Sequence, residues 1–174
     1  KSEKLAFLVG LTLGDGHVGK LSRTESLRIT LGTDKPLLWQ YVAKVIREIF
    51  NKEPYVRKRK DASCVDIRIY QNHLSQRLEI PLGSRKELLI SLPLWILRSN
   101  SFLIACLKGL FEAEASFSIH ARTYTYNFSF SNLNVSLLDE VEEALVGLGF
   151  HPERRSNAVR LRRKKEALAF AELI

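Results

Sequence analysis

The sequence predicts an α+β protein made of two related halves, each ordered αββαββα: helix, two strands, helix, two strands, helix. Two observations carry that prediction. A helical segment ending in an acid occurs twice, as LVGLTLGDG at residues 8–16 and LKGLFEAEA at residues 107–115. The sequence downstream of each copy repeats as well: Leu37-Leu38 falls in step with Leu137-Leu138, and Phe50 with Phe150. The chain therefore divides into an N-terminal half at residues 1–80, a packed linker at residues 81–100 and a C-terminal half at residues 101–174. A pseudo-twofold axis is expected between the repeated helices.

The first repeated segment is amphipathic, with Leu5, Leu8, Val9, Thr12 and Leu13 near one helical face. Gly10 and Gly14 are four residues apart and share a side of the helix. Each costs about 1 kcal/mol relative to alanine in a helix, a cost that makes sense where another backbone must come close. Asp15 then sits at the helix C-terminus, the wrong end of the macrodipole for a carboxylate, and a bound cation removes the conflict. In the second copy Gly109, Leu110, Ala113 and Glu114 match Gly10, Leu11, Gly14 and Asp15. Two small-residue helices that each end in a carboxylate are expected to pack together and bring both acids to one site.

The remaining elements are read in chain order. Residues 17–23 form a short polar strand, and residues 26–31 alternate, with Leu27, Ile29 and Leu31 on one face and Ser26, Arg28 and Thr30 on the other. Thr33-Asp34 caps a helix with Pro36 in its first turn, running to about Phe50. A basic strand at residues 55–60 turns at residues 61–63 and returns at residues 64–70, with Val65, Ile67 and Ile69 inward and Asp66, Arg68 and Tyr70 outward. A short helix is expected at residues 71–78. The linker carries Pro81, Gly83, Pro93 and Trp95, and its hydrophobic content marks it as packed. In the second half, residues 116–122 and 125–131 alternate, placing Phe117, Ile119, Tyr126, Phe128 and Phe130 inward. Asn132 or Asn134 caps the next helix, which ends at Gly147-Leu148-Gly149. A basic hairpin turns around Ser156-Asn157, and a final helix begins near Lys164.

Composition narrows the function classes. The chain has 174 residues, is 45% hydrophobic and 26% charged, and carries a formal net charge of +8 with pI about 9.7, which suits a polyanionic partner such as nucleic acid. Cys64 and Cys106 lack metal-binding spacing and read as free thiols in a reducing interior. The four histidines are scattered, which argues against a zinc site. The charged start and apolar middle of residues 1–16 lack a cleavage site, and no run approaches the ~18 apolar residues of a membrane span. An intracellular, cytoplasmic location is expected. The chain contains no methionine, so an initiator and flanking residues are expected outside it.

The two repeated segments, LVGLTLGDG and LKGLFEAEA, resemble the signature motifs of the LAGLIDADG homing endonucleases in their single-chain, two-motif form. Leu13-Gly14 stands where the signature has Asp-Ala, and Glu114 and Ala115 stand where it has Asp and Gly. The resemblance spans nearly the whole chain and implies two four-stranded antiparallel sheets forming a DNA-binding saddle. It implies a monomer that makes a double-strand break in a long DNA target and leaves short 3′ overhangs. Asp15 and Glu114 become the catalytic and metal-binding acids, with the carbonyls of Gly14 and Ala113 as further ligands. Hard oxygen donors suit Mg²⁺, with Mn²⁺ as substitute, and two or three ions would be shared where the motifs meet.

The outward strand residues are the candidates for DNA contact. In the first half these are Arg28, Thr30, Arg57, Arg59, Arg68 and Tyr70. In the second they are His120, Arg122, Asn127 and Ser129, joined by Arg154, Arg160 and Arg162 of the basic hairpin. A two-stranded ribbon fits the major groove, with phosphates setting affinity and base edges setting sequence. The resemblance also calls for a supporting lysine or glutamine near each metal, yet no lysine follows the second strand of either half. Lys20, Lys60 and Lys86 remain as candidates for catalytic support. Two other readings of the same fold stay open: an RNA maturase acting on its host intron RNA, and a DNA-binding regulator without catalysis.

Overall fold

A computed structural model describes residues 1–85 and 88–174. The chain runs α1 (Glu3–Asp15), β1 (Gly16–Lys20), β2 (Glu25–Gly32), α2 (Pro36–Phe50), β3 (Tyr55–Lys58), β4 (Cys64–Gln71), α3 (Leu74–Leu78) and α4 (Leu94–Leu97). It continues through α5 (Asn100–Glu114), β5 (Ala115–His120), β6 (Thr125–Ser131), α6 (Val135–Gly147), β7 (Glu153–Arg155), β8 (Ala158–Leu161) and α7 (Lys164–Leu173). The strands form two antiparallel sheets, ordered β1-β2-β4-β3 and β5-β6-β8-β7. The predicted α+β class and the αββαββα repeat are both present, with α4 as an extra turn in the linker.

The two halves meet along α1 and α5, and glycine is what lets them meet. A Cβ on Gly10 would strike the carbonyl oxygen of Cys106, and a Cβ on Gly109 would strike the carbonyl oxygen of Phe7. The contact is reciprocal, as a twofold arrangement requires, and it is backbone on backbone, so neither side can yield. Nearly all of α1 is buried from Leu5 to Leu13. From there one continuous apolar core extends under both sheets. Cys106 lies in that interface, and burial pushes its thiol pKa up to about 12, so it serves as a packing residue. Cys64 is half-buried and also free.

Four expectations need correction. Thr33 and Asp34 do not cap α2; its N-cap is Lys35, with no side-chain cap bond. The carboxylate of Asp34 instead folds back over Gly32, where a Cβ would collide with Oδ1. The basic strand stops at Lys58, leaving Arg59 and Lys60 in the hairpin tip. The helix expected at residues 71–78 is one turn at Leu74–Leu78, because β4 runs on to Gln71. Finally, Phe117 and Ile119 lie on the predicted core side of β5 but are 44% and 53% exposed. β5 is an edge strand, and α7 packs against β6 instead of reaching under it.

Candidate active site

Asp15 is the last residue of α1 and Glu114 the last of α5, so the reciprocal helix contact delivers both acids to one point. Their closeness shows at Gly14, where a Cβ would meet Ala113 Cβ at 2.5 Å and Glu114 Cγ at 3.2 Å. Burial raises the Asp15 carboxyl above the usual carboxylate range, and the Lys35 ammonium partly offsets that. Burial also raises Glu114, and the negative charge of Asp15 raises it further. Two such acids, each at the negative end of a helix dipole, form an anionic pair that a cation would relieve. Among the described residues no cluster of three or more His, Cys, Asp or Glu side chains exists. The donor set is thus two carboxylates and helix-end carbonyls, leaving the other positions to water or phosphate oxygens. That composition fits a hard divalent cation such as Mg²⁺.

Three side chains surround the acids. The Arg85 guanidinium crosses from the linker and donates through Nη2 to the carbonyl of Thr12 at 2.8 Å and that of Gly16 at 2.7 Å. It thereby clamps the end of α1 around Gly14 and Asp15, leaving the Gly14 carbonyl outside this contact. Burial lowers its pKa, but an arginine keeps its charge, and its buried Nη1 has no partner among the described residues. Arg85, Gly14, Glu114 and Asn132 line a cavity of about 490 Å³. Asn132 donates from Nδ2 to Glu114 Oε1 at 3.4 Å. Lys35 donates to the carbonyl of Glu112 at 3.2 Å, tying α2 to the end of α5 on the other side.

The sequence candidates for support fare differently. Lys20 ends β1, four residues or about 13 Å of strand beyond Gly16. Lys60 lies in the tip of the β3–β4 hairpin, in a pocket with Arg57, Arg59, Asp61, Asp66 and Arg68. Lys86 lies outside the described residues. Arg85 and Lys35 escape a reading of the sequence because each reaches its partners across about 70 or more residues of chain. No local pattern marks such a contact.

No protein-family model matches the chain, and no curated protein matches it. Solved structures do. The homing endonuclease I-DmoI in complex with DNA and Mn superposes with a TM-score of 0.68 at 19% identity, covering 99% of this chain and 96% of that one. The N-terminal LAGLIDADG domain of DUF199/WhiA gives 0.61 at 17% identity, covering 99% of this chain and 80% of that one. Full-length DUF199/WhiA from Thermatoga maritima gives 0.63 at 15% identity, with 99% and 55% covered. The chain has the two-motif LAGLIDADG fold.

Each acid leads straight into the first strand of its own sheet. On the first sheet Arg28, Thr30, Arg57, Arg68 and Tyr70 all lie on the face away from the core strands' buried residues. Asp66 shares that face yet is only 3% exposed. Thr30 donates to its Oδ1 at 2.8 Å, while Arg68 and Arg59 bond its Oδ2 at 2.8 and 3.3 Å. Burial opposes ionisation, but these bonds hold the carboxyl below its ordinary range. On the second sheet His120, Asn127, Ser129 and Arg160 take the free face, with Arg162 just past β8. Arg122 is exposed in the β5–β6 turn. Arg154 corrects the sequence reading: it pairs with buried Val159 and turns to α6, where it meets Asp139 at 3.1 Å and Glu142 at 3.5 Å. Alternation along β7 dictates this, since Arg155 and Arg154 must point to opposite faces.

Proposed function

We propose that the chain is a metal-dependent, site-specific DNA endonuclease of the homing type, acting as a monomer on a long duplex and leaving short 3′ overhangs. The observation that carries the reading is the pair Asp15 and Glu114. One acid comes from each half, both have raised pKa values, and they meet at the ends of the paired helices, each of which leads straight into a sheet with a polar free face. That I-DmoI has been solved with its target DNA and with Mn supports it.

Each residue then has a task. The free faces of the sheets bind the duplex and set its register, so that one phosphate of each strand comes to the acids. Asp15 and Glu114 hold Mg²⁺, or Mn²⁺ in its place, together with the Gly14 and Ala113 carbonyls. An ion held there would supply Lewis-acid polarisation of the phosphate and a water of lowered pKa. Arg85 fixes the end of α1 and brings a positive charge to the wall of the cavity beside Glu114. Asn132 orients the Glu114 carboxylate. Two halves on one chain allow the two half-sites to differ in sequence.

Cleavage of a randomised duplex library in Mg²⁺, beside Asp15→Asn and Glu114→Gln, tests this. The parent should cut one long sequence. Each variant should still bind that sequence and lose about a thousandfold or more in cleavage. A parent that binds duplex or intron RNA and never cuts under any divalent ion overturns the endonuclease reading and leaves a maturase or a regulator.

A further inference from the structure

The two sheets carry the same arginine at the same place, and each is held by a carboxylate from a different direction. Two residues beyond each acid, a row of residues crosses the sheet. In the first half it runs His17, Arg28, Arg68, Tyr55; in the second it runs Ser116, Ser129, Arg160, Glu153. Arg68 and Arg160 are therefore pseudo-dyad mates. Arg68 donates from Nη2 to Asp66, two residues back on its own strand, at 2.8 Å. Arg160 donates from Nε and Nη2 to Glu153, across the ladder on β7, at 3.2 and 3.1 Å. No shared sequence pattern produces this, since the residue matching Asp66 is Ala158 and the residue matching Glu153 is Tyr55.

A carboxylate on a surface that meets DNA repels any phosphate near it, so Asp66 and Glu153 mark points facing the groove floor and not the backbone. An arginine held by a carboxylate loses much of its pull on phosphate and gains a fixed direction. Arginine has five N–H donors: Asp66 takes one at Nη2 of Arg68, Glu153 takes Nε and one at Nη2 of Arg160, and Nη1 with the second N–H of Nη2 is left over in each. Those donors match the O6 and N7 acceptors of guanine. The neighbours that lack such a clamp, Arg28 and Arg57 among them, keep full charge for phosphates.

Resting on the duplex-binding reading above, we propose that Arg68 and Arg160 each read a guanine, one per strand, at equal distances from the centre of the target. Asp66 and Glu153 are the positioning residues that aim them. The target is thus asymmetric at large but palindromic at this one pair of positions.

The test is selection of bound duplexes from a randomised library in Ca²⁺, with melting temperatures measured in parallel. The parent should select a guanine on each strand, symmetric about the centre. Arg68→Lys and Asp66→Asn should both lose about tenfold in discrimination at the first of these positions; Arg160→Lys and Glu153→Gln should do so at the second. A lysine keeps the charge but not the fork, so a simple phosphate contact would survive that change and overturn the proposal. Unchanged base preference in Asp66→Asn and Glu153→Gln would also overturn it. If Asp66→Asn does not fold, the half-exposed Glu153 carries the test alone. A parent that selects no duplex sinks the DNA reading itself, whereas selection without the symmetric guanines sinks only this assignment.

Discussion

Compare the two halves where they touch and where they do not. Along α1 and α5 they are nearly interchangeable: glycine faces backbone from each side, and each helix ends in an acid. One turn away they diverge. Thr12 of α1 is buried with its hydroxyl on the carbonyl of Leu8, whereas its counterpart Phe111 stacks among Phe128, Phe130 and Phe170. Under the first sheet Val18 is fully buried, and the linker donates Gly83 N–H to its carbonyl; its counterpart Phe117 is 44% exposed. The repeat is kept where backbone contact and the metal site demand symmetry. Elsewhere each half has solved its packing separately.

The largest effect is expected at the symmetric part. Gly109→Val drives side-chain carbons into the Phe7 carbonyl and the Leu11 amide, and neither can move without separating the halves. A loss on the order of 5 kcal/mol, enough to abolish a cooperative urea transition, is expected. Gly14→Ala is the graded version. Its Cβ presses on Ala113 at the very end of the pair, so stability should fall by about 1–2 kcal/mol while the acids are pushed apart. Cleavage should therefore drop more than DNA binding does.

The divergent cores separate next. Phe111→Ala empties the centre of an aromatic cluster and should cost about 3–4 kcal/mol by urea denaturation. Thr12→Val, at the matching place, removes one hydroxyl and its bond to Leu8 and should change stability by less than about 1 kcal/mol. Similar costs at both positions would mean that the halves share one packing scheme after all.

The sheet undersides give smaller numbers. Val18→Thr buries a hydroxyl with no partner and should cost about 1–2 kcal/mol. Ile119→Lys copies the residue that the first half has at that place, Lys20, and Ile119 is 53% exposed. Its stability should stay within about 0.5 kcal/mol of the parent.

Legibility in the sequence divides along the same line. The repeated helices, the acids and most strands are legible because period, small residues and terminal carboxylates are local signals. Exposure of Phe117 and Ile119 is not, because alternation tells which face a residue takes but not whether a helix reaches under it. Arg154 misleads for the opposite reason: a run of basic residues looks like one surface, while alternation sends Arg154 to α6. Arg85 and Lys35 reach the ends of the motif helices only through tertiary contact, which no local pattern in the sequence marks. Asp66 reads only as outward; its burial depends on three partners from β2, β4 and the hairpin tip.

The last contrast concerns how the closing helices are held. The amide of Ser75, in the first turn of α3, donates to the buried Glu25 carboxylate at 2.8 Å. That bond is the main reason the Glu25 pKa lies below the ordinary glutamate value. At the matching residue of the second half, Lys164 at the start of α7 lies 5.1 Å from the Tyr126 ring centroid. A carboxylate with a depressed folded pKa stabilises the fold above its unfolded value, and the contribution disappears as pH falls through the folded one. Glu25→Gln should therefore cost about 1 kcal/mol at pH 7, and its melting temperature should converge on the parent's below about pH 4. Tyr126→Leu should cost about 0.5–1 kcal/mol at pH 7. Parallel pH curves for parent and Glu25→Gln would show that the carboxylate charge contributes nothing and that α3 is held by apolar packing of Leu74 and Leu78 alone.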